Sequence, residues 1–580
     1  MDWFAGFCYT EIIEGILEAC CCIYLYYVQD NVVFMNSQNS SLPIPDVNSD
    51  SSETEIDTPS SSSAHTPTGS SRNFITLTPF WRERSFEVGL VLSMLLYYVV
   101  GNPNLHILYF SHLSLLLNQL ISVPFLLIFG LLCWYRLPVA IALLPLSLPF
   151  YLLQKVVIKN AALSLAEVTL ATCLVVAALH LMLGNRGRVS WPQLRDRIGP
   201  FVWPALVLCV VAALSIIVAY SPRDALRAFH EEVLAPLLYL ALALAYLRTR
   251  QDACRLLIAL FGTGLLVALL GLAQYVFFKH TLMLENGAYR VHAVYGSANS
   301  IGLLFDYVLP LGLALLLARV SIQSRLLALV GLVIMLPVLY LTDSGGAWIA
   351  IAVAALFVIA LSIRKRRLVL IGGLVTIVVV AVVLLAFHSA IYHYVIDRHV
   401  SADGQSSVTK RFYLWQSAWQ MIQHSPWAGY GMDNWLCHYS RNTICPSNIH
   451  HYWITVDPAG HLTGLRDEPD LSHPHNIFLH VWVSMGISGL LAFISVLALF
   501  YWLLARILRY LEIARVEGRE QLRWMTVGIG AGMLAALVQG MVDSAFLEQD
   551  LAFCFWMLVA ALLLLRSLAG VPWRGKLQNP

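Results

Sequence analysis

Residues 200–219 read PFVWPALVLCVVAALSIIVA, twenty residues without a charged side chain. A helix rises about 1.5 Å per residue, so about 20 apolar residues cross the ~30 Å hydrocarbon core of a bilayer. Similar runs follow one another from residue 86 onward, and the 580-residue chain is 58% hydrophobic and only 12% charged. Soluble domains have about 25% charged residues, and a charge at the bilayer centre costs several kcal/mol. The chain is therefore predicted to be an integral membrane protein.

A membrane span must form its backbone hydrogen bonds within the segment, so each run is predicted to be a helix. We expect an all-α, polytopic transmembrane bundle of about 12–14 spans, with a large extracytoplasmic loop that contains amphipathic helices. The predicted spans are residues 86–100, 113–134, 137–153, 161–183, 200–219, 233–247, 254–278, 299–318, 326–342, 346–363, 368–387, 476–505, 524–543 and 549–565.

Arginine and lysine are concentrated in alternate loops from residue 184 onward, most densely in the run from Arg364 to Arg367. Positively charged loops stay in the cytoplasm, so the intervening loops are predicted to face outward and both termini to be cytoplasmic. The predicted outward loops are residues 220–232, 279–298, 343–345, 388–475 and 544–548.

The chain is predicted to have five parts. Residues 36–72 are rich in Ser, Thr and Pro, which is typical of a disordered linker. The parts are an N-terminal extension with that linker (1–85), a transmembrane bundle (86–387), an extracytoplasmic loop with the candidate active site (388–475), C-terminal transmembrane helices (476–566) and a cytoplasmic tail (567–580).

The eleven cysteines do not form a disulfide framework, because most of them lie near the N-terminus or in apolar segments. Only Cys437 and Cys445 share a long polar loop. A disulfide between these two residues is one alternative, and two separate thiols are the other.

The long outward loop contains TKRFYLWQSAWQMIQH at residues 409–424. Phe412, Trp415, Trp419 and Ile422 recur there at helical spacing. This pattern predicts an amphipathic helix on the outer membrane surface, with its tryptophans at the depth of the headgroups.

Lys410 and Arg411 fall in the first turn of that helix. A helix N-terminus already carries partial positive charge, so two cations there favour a bound anion. A lipid-linked diphosphate would serve, and ordinary phospholipid headgroups are the alternative. Arg290, in another outward loop, is a further cation available to an anion site.

The sequence HPHN, from His473 to Asn476, directly precedes a predicted span. His475 therefore lies at the outer surface, and imidazole is the usual general base near neutral pH. Two alternatives remain open. One is a histidine that caps the helix or faces headgroups, and the other is a zinc site in which His450 and His451 join the H-x-H pair.

A short outward turn, LTDSGGAW at residues 341–348, separates two predicted spans. Gly345 and Gly346 permit a tight reversal or a close approach of ligand. Asp343 and Ser344 could hydrogen-bond a sugar or cap the following helix, and a plain turn explains the segment equally well.

The sequence has no ATP-binding P-loop, no nucleophile elbow, no HExxH motif and no basic run interleaved with aromatics. Energy for synthesis on the outer face would come from an activated, lipid-linked donor. A transporter or flippase of lipid-linked glycan is the alternative class. It predicts charged groups along a path through the bundle and an internal repeat, whereas the polar residues here concentrate on one face.

Four segments resemble bacterial O-antigen ligases and O-antigen polymerases. They are LSLAEVTL at 163–170, the stretch from RVHAVYGSAN to LLLAR at 290–319, LTDSGGAW at 341–348, and the stretch from RFYLWQSAW at 411 to GISGLLAF at 493. The most specific feature is a histidine followed by Asn, Ser or Gln, nine residues and G-x-x-G. Here these are His475, Asn476, Gly486 and Gly489.

The resemblance implies an inverting glycosyltransferase without metal or cofactor, in a bacterial cytoplasmic membrane with the active site on the extracytoplasmic face. It would move a glycan from undecaprenyl diphosphate to the hydroxyl of an acceptor glycan or lipid. His475 would activate the acceptor and Arg411 would hold the diphosphate. The remaining expected substrate-binding residues are Lys410, Arg290, Asn476, Ser344 and His473.

One departure from the family stands in LTDSGGAW, where the family's second arginine falls on Gly345. A missing cation beside the leaving group could cost several kcal/mol of transition-state stabilisation. Three explanations compete: Arg290 or Lys410 replaces the arginine, the donor differs, or the protein is a catalytically impaired family member.

Overall fold

A computed structural model describes residues 79–105, 108–158, 161–184, 188–285, 288–362, 407–439 and 473–575. Residues 1–78, with the predicted linker, and residues 368–387, with one predicted span, lie outside this set, as do His450 and His451. The fold is almost entirely helical, and its only strands among these residues form two short antiparallel hairpins.

The helices are α1 (Pro79–Val99), α2 (Leu115–Tyr135), α3 (Leu137–Leu143), α4 (Leu165–Met182), α5 (Trp191–Ile198), α6 (Val202–Val218), α7 (Pro222–Ala228), α8 (Ala235–Tyr246), α9 (Arg250–Phe277), α10 (Ala298–Leu317), α11 (Ile322–Leu341), α12 (Gly345–Ser362), α13 (Ser407–His424), α14 (Trp435–Tyr439), α15 (Ile477–Ile513), α16 (Arg519–Gly540) and α17 (Gln549–Ala569). The strands are β1 (Lys155–Ile158), β2 (Ala161–Leu163), β3 (Met283–Glu285) and β4 (Ala288–Arg290).

Eleven helical segments among the described residues are long and apolar enough to cross a bilayer. They coincide with eleven of the predicted spans, so the prediction of a polytopic all-α bundle is confirmed. Two of the segments are composite. Trp191–Val218 combines α5 with α6, and Pro222–Tyr246 combines α7 with α8 through the π-helical turn Phe229–Leu234.

Three details differ from the sequence prediction. The predicted span 137–153 is broken, because α3 passes into the 3₁₀ helix Leu144–Phe150, which contains two prolines. Residues 222–232 of a predicted loop are helical. The predicted span 86–100 lies in α1, which is not among the eleven.

The loops predicted to face outward contact one another at one end of the helices. Nε of Arg290, in the loop 279–298, donates at 2.6 Å to the carbonyl of Thr342, which directly precedes the loop 343–345. Nε of Arg411, in the loop 388–475, donates at 2.7 Å to the carbonyl of Val542, two residues before the loop 544–548. Loops that the sequence assigns to the same side of the membrane therefore lie at the same end of the helices.

The loops that are rich in arginine contact one another, or neighbouring helix ends, at the other end of the helices. Nη2 of Arg250 lies 3.5 Å from a Glu517 carboxylate oxygen. Nη2 of Arg523 donates to the Leu361 carbonyl at 2.5 Å. Arginines predicted to be cytoplasmic thus lie at the end opposite the polar outward loops.

The core of the bundle forms where α10, α16 and α17 pack together. In α17, 89% of the most apolar stretch of 18 residues is buried. Small residues permit the close approach of α10 and α16. A Cβ added at Gly532 would lie 2.8 Å from the Tyr307 carbonyl oxygen. This packing brings the end of α16 and the start of α17 next to the start of α15, where the candidate site lies.

Candidate active site

The helix α15 is kinked at Gly486, which has φ 67° and ψ −174°. The backbone of residues 425–431 docks against this kink, with the Tyr430 amide donating to the Val483 carbonyl at 2.8 Å. A Cβ at Gly486 would lie 2.0 Å from the Trp427 carbonyl oxygen, so a side chain is excluded. The structure therefore explains why the first position of the G-x-x-G pattern is a glycine.

His475 stands one residue outside the N-cap of α15 and has a positive φ of 48°. Its Nδ1 lies 2.9 Å from Oδ1 of Asp543. The Trp415 indole donates to its carbonyl at 3.1 Å. An ionised Asp543 fixes the tautomer with a proton on Nδ1, which leaves Nε2 as the basic nitrogen.

Asp543 is buried, yet it is suited to remain ionised. Burial would raise the pKa of its carboxyl, but the charge of His475 and the hydrogen bond to its ring outweigh burial and lower that pKa below the usual value. The charges of His473 and Arg411 act in the same direction. The carboxylate can therefore orient His475 and stabilise its protonated form.

His473 packs beside His475, with ring centroids 4.5 Å apart. The His475 amide donates to Nδ1 of His473 at 3.3 Å, so the neutral His473 ring carries its proton on Nε2. This nitrogen lies 3.9 Å from Oδ1 of Asp543 and 3.7 Å from Oε1 of Glu548. Burial, followed by the charge of His475, lowers the pKa of His473 well below its usual value, so the ring stays neutral.

Glu548 differs from Asp543 in its expected charge. Burial, followed by repulsion from Asp550 and Asp543, raises the pKa of the Glu548 carboxyl well above its usual value. His473 thus lies between one ionised carboxylate and one protonated carboxylic acid.

Arg411 lies on α13, whose residues Ser407–His424 include the predicted amphipathic helix at 409–424. Its bond to the Val542 carbonyl anchors it one residue from Asp543. Lys410 precedes it and is buried, whereas Arg411 is partly buried. Because His475 contacts Asp543 and Arg411 contacts Val542, the two residues expected to be catalytic share one site.

The two faces of α13 have different surroundings. Leu414, Ala418, Met421 and Ile422 are buried, whereas Phe412 and Trp419 are 59% and 48% exposed. The helix is therefore amphipathic as predicted, but Ile422 belongs to its buried face.

The turn around Ser344 lies against the same site. A Cβ at Gly346 would lie 3.3 Å from Cγ2 of Val542. Ser344 is buried, and Arg290 is held near the turn by its bond to Thr342. A Cβ at Gly345 would meet no atom within 4 Å, so the position of the family arginine is open space.

Asn476 has a structural role, and its expected part in substrate binding stays a prediction. It is the N-cap of α15, and its side-chain oxygen accepts from the Phe478 and Leu479 amides at 3.0 and 3.1 Å. Its amide donates to the Met541 carbonyl at 3.0 Å. Asn476 therefore joins the start of α15 to the residues after α16.

Sequence reasoning did not place Asp543 and Glu548 in the site. A signal was present, because Asp543 directly precedes the last predicted outward turn, residues 544–548, and Glu548 ends it. Their partners could not be identified, since 68 residues separate His475 from Asp543.

A carboxylate-rich wall borders the site on the side of Glu548. The π-helical turn Phe229–Leu234 contains Glu231 and Glu232, and the Glu232 carboxyl group is electrostatically coupled to those of Asp433 and Glu548. π-Helical turns are rare and frequently occur at functional sites. The site thus has cations on one side and carboxylates on the other.

His473, His475 and Asp543 could hold a metal ion, since one donor atom from each lies within 4.8 Å of the others. Nitrogen and carboxylate donors suit a divalent transition metal. The nitrogen Nδ1 of His475 already makes its 2.9 Å hydrogen bond to Asp543, so an ion would have to replace that bond.

Cys437 is disulfide-bonded, and Cys445 lies outside the described residues. The five cysteines in apolar segments are free.

The helical architecture and the hydrogen-bonded pair of His475 and Asp543 define a polytopic membrane protein with a polar site at one end of its bundle. Residues 330–494 match the sequence model of the O-antigen ligase family, so this part of the chain is similar to that family. The matched region runs from α11 through the first half of α15 and contains Arg411, His473 and His475, whereas Asp543 lies outside it. No curated protein matches the chain. The resemblance found in the sequence is thereby confirmed.

Proposed function

We propose that the protein transfers a glycan from a polyprenyl diphosphate carrier to an acceptor hydroxyl, as an O-antigen ligase or polymerase. The observation that carries the proposal is the hydrogen bond between His475 and Asp543 beside the anchored Arg411. A base and a cation next to one another suit a reaction that removes a proton and expels an anion.

In the proposed step, Nε2 of His475 takes the proton of the acceptor hydroxyl. The acceptor oxygen attacks the anomeric carbon of the donor glycan, and the bond from that carbon to the phosphate oxygen breaks. Asp543 stabilises the imidazolium that forms, as a carboxylate does in Ser-His-Asp hydrolases. Attack opposite the leaving group inverts the anomeric centre, and no metal takes part.

The polyprenyl diphosphate leaves with the bonding electrons and gains negative charge. Arg411 is the residue proposed to stabilise this charge, with Lys410 beside it on α13. Arg290 adds a third cation near the turn that contains Gly345, where the family arginine is absent. In this proposal, the positive charge of these three residues compensates for the family arginine that is absent at Gly345.

Charge also suggests how the two substrates are arranged. A diphosphate pairs with cations, so the donor is placed on the side of Lys410 and Arg411. The acceptor is then placed towards Glu548 and Glu232, whose carboxyl groups can hydrogen-bond sugar hydroxyls.

The proposed location is the bacterial cytoplasmic membrane, with the site on the extracytoplasmic face. Arginine-rich loops lie at the opposite end of the helices from the site, and such loops stay in the cytoplasm. Lipid-linked donors are available on the outer face, where nucleotide sugars are absent.

The test is transfer of glycan from a purified lipid-linked oligosaccharide by the full-length protein in lipid vesicles. His475→Ala should reduce turnover by about 10²–10⁴-fold, the contribution of a general base. His280→Ala, which alters an exposed histidine at the same end of the bundle, is the matched control and should keep wild-type turnover.

Wild-type turnover in the His475→Ala protein would remove His475 from the mechanism. Movement of the lipid-linked oligosaccharide across the vesicle membrane, with no covalent change, would replace the transferase by a flippase.

A further inference from the structure

A second polar site lies at the basic end of the bundle, away from the candidate active site. A cavity of about 530 Å³ opens there between α5, the end of α8 and the end of α17. Its lining includes Gln193, Asp196, Arg197, Arg248 and Ser567. A volume of this size is in the usual range for ligand pockets.

The cavity carries an excess of positive charge. Arg197 is buried and donates through Nη1 to the Leu244 and Leu247 carbonyls, each at 2.7 Å. Its charge is repelled by those of Arg248 and Arg566. Three guanidinium groups therefore act on one another around this cavity.

Only one carboxylate, that of Asp196, lines the cavity, and it is already engaged. Arg566 donates to the Asp196 carboxylate and, at 3.0 Å, to its carbonyl. Nε of Arg566 and Nε of Arg188, the residue before Val189 of the cavity lining, are buried without a hydrogen-bond acceptor among the described residues. Buried donors of this kind need an acceptor, and an anion would supply one.

The surroundings of the cavity are those of a membrane interface. Trp191, the first residue of α5, is 66% exposed next to the cavity lining, and tryptophan concentrates at headgroup depth. Along α6, Trp203, Leu206 and Val210 are 70%, 51% and 47% exposed at helical spacing. This stripe leads away from the cavity and offers a surface for acyl chains.

We propose that this cavity binds the phosphate of an anionic phospholipid, whose acyl chains lie along α6. Basic pockets between membrane helices on the cytoplasmic side are suited to anionic lipid headgroups. Bound lipid would join α5, α8 and α17 through Gln193, Arg248 and Ser567. The site is separate from the transferase site, so this proposal does not depend on the proposed reaction.

Two variants change the charge of the cavity with little change of shape. Gln193→Glu adds a negative charge, and it should fold because Gln193 accepts from the Ser190 amide at 3.1 Å, which glutamate does equally well. Arg248→Gln removes one positive charge. Arg195→Gln is the matched control, since Arg195 is exposed on the same helix and does not line the cavity.

The experiment uses the full-length protein in neutral detergent, titrated with phosphatidylglycerol, cardiolipin, phosphatidylcholine or inorganic phosphate. Native mass spectrometry counts bound lipid, and the midpoint of thermal unfolding reports stabilisation. We expect phosphatidylglycerol and cardiolipin to bind and stabilise the wild-type protein. Binding should weaken about fivefold in Arg248→Gln and roughly tenfold in Gln193→Glu, with no change in Arg195→Gln.

The other outcomes would overturn the proposal. Equal binding of phosphatidylcholine would show that the headgroup charge is not recognised. Stabilisation by inorganic phosphate with none by anionic lipid would show a site for a soluble anion. Equal weakening of lipid binding in all three variants would assign the effect to general surface charge. Unchanged binding in all three would show that the lipid does not bind in this cavity.

Discussion

Nδ1 of His475 lies 2.9 Å from Oδ1 of Asp543, although 68 residues separate them in the chain. His475 also has a positive φ of 48°, a conformation that costs a non-glycine residue about 1–3 kcal/mol. The bonds of its ring to Asp543 and of its carbonyl to Trp415 hold it there. Strain that is maintained by such contacts is characteristic of functional sites.

Asp543→Asn should lower kcat about 10²–10⁴-fold and leave the donor KM unchanged, since the amide cannot stabilise the imidazolium or enforce the tautomer. Steady-state kinetics with a lipid-linked oligosaccharide measures both constants. Asp224→Asn, an exposed change at the same end of the bundle, should behave as wild type. An unchanged kcat in Asp543→Asn would mean that the carboxylate does not assist the base.

Gly486→Ala should destabilise the fold strongly, because the new methyl group would lie 2.0 Å from the Trp427 carbonyl oxygen at a left-handed φ of 67°. We expect the midpoint of thermal unfolding to fall by several degrees, corresponding to about 2–4 kcal/mol. Gly345→Ala is the control, since no atom lies within 4 Å of its Cβ. Equal stability of the two variants would argue against docking of residues 425–431 on the kink.

Gly345→Arg restores the cation of the family pattern in open space beside the turn that contacts Val542. A further charge next to the leaving diphosphate should raise kcat/KM for the donor about tenfold. Gly345→Gln adds similar bulk without charge and should show no gain. Loss of activity in the arginine variant alone would indicate that this chain uses a different donor geometry.

Glu548→Gln should stabilise the protein more at pH 8 than at pH 5. The pKa of Glu548 is raised in the folded state, so above the unfolded value of about 4.3 the unfolded chain releases a proton that the folded chain retains. Stability therefore falls as pH rises, and glutamine removes this fall. We expect a gain of about 1 kcal/mol, or 2–4 °C, at pH 8, measured by thermal unfolding. A gain that is the same at both pH values would contradict burial of a protonated carboxyl.

Trp427→Cys should react with a membrane-impermeant maleimide in intact cells, whereas Glu517→Cys should react only after permeabilisation. Trp427 is 77% exposed near the candidate site, and the Glu517 side chain is 91% exposed among the basic loops. Labelling relative to the unsubstituted chain corrects for native cysteines. The reverse pattern would place the site in the cytoplasm.

The fold could be predicted from the sequence where length and hydropathy decide it. Segments such as 298–317 and 549–569 are helical because an apolar run in a bilayer has no other way to satisfy its backbone. Residues 137–153 were wrongly predicted to be one span, because prolines interrupt the helix after Leu143. Hydropathy alone does not detect this break in the helix, because the residues on both sides of it are apolar.

The candidate site was predictable only in part. His475 and Arg411 were selected because each combines a reactive group with a boundary position, and the structure brings them to one site. Asn476 was expected to bind substrate but caps α15. Arg290 reaches the turn at Thr342, and its part in donor binding stays a prediction.

By itself the sequence determined the helical membrane architecture, the sorting of loops and the histidine motif, because these depend on local hydropathy, charge and spacing. Only the tertiary structure decided that Asp543 orients His475, that Glu548 approaches His473, and that Gly486 receives the 425–431 loop. These pairs are distant in the chain, and packing of α15 against α16 and α17 sets their distances.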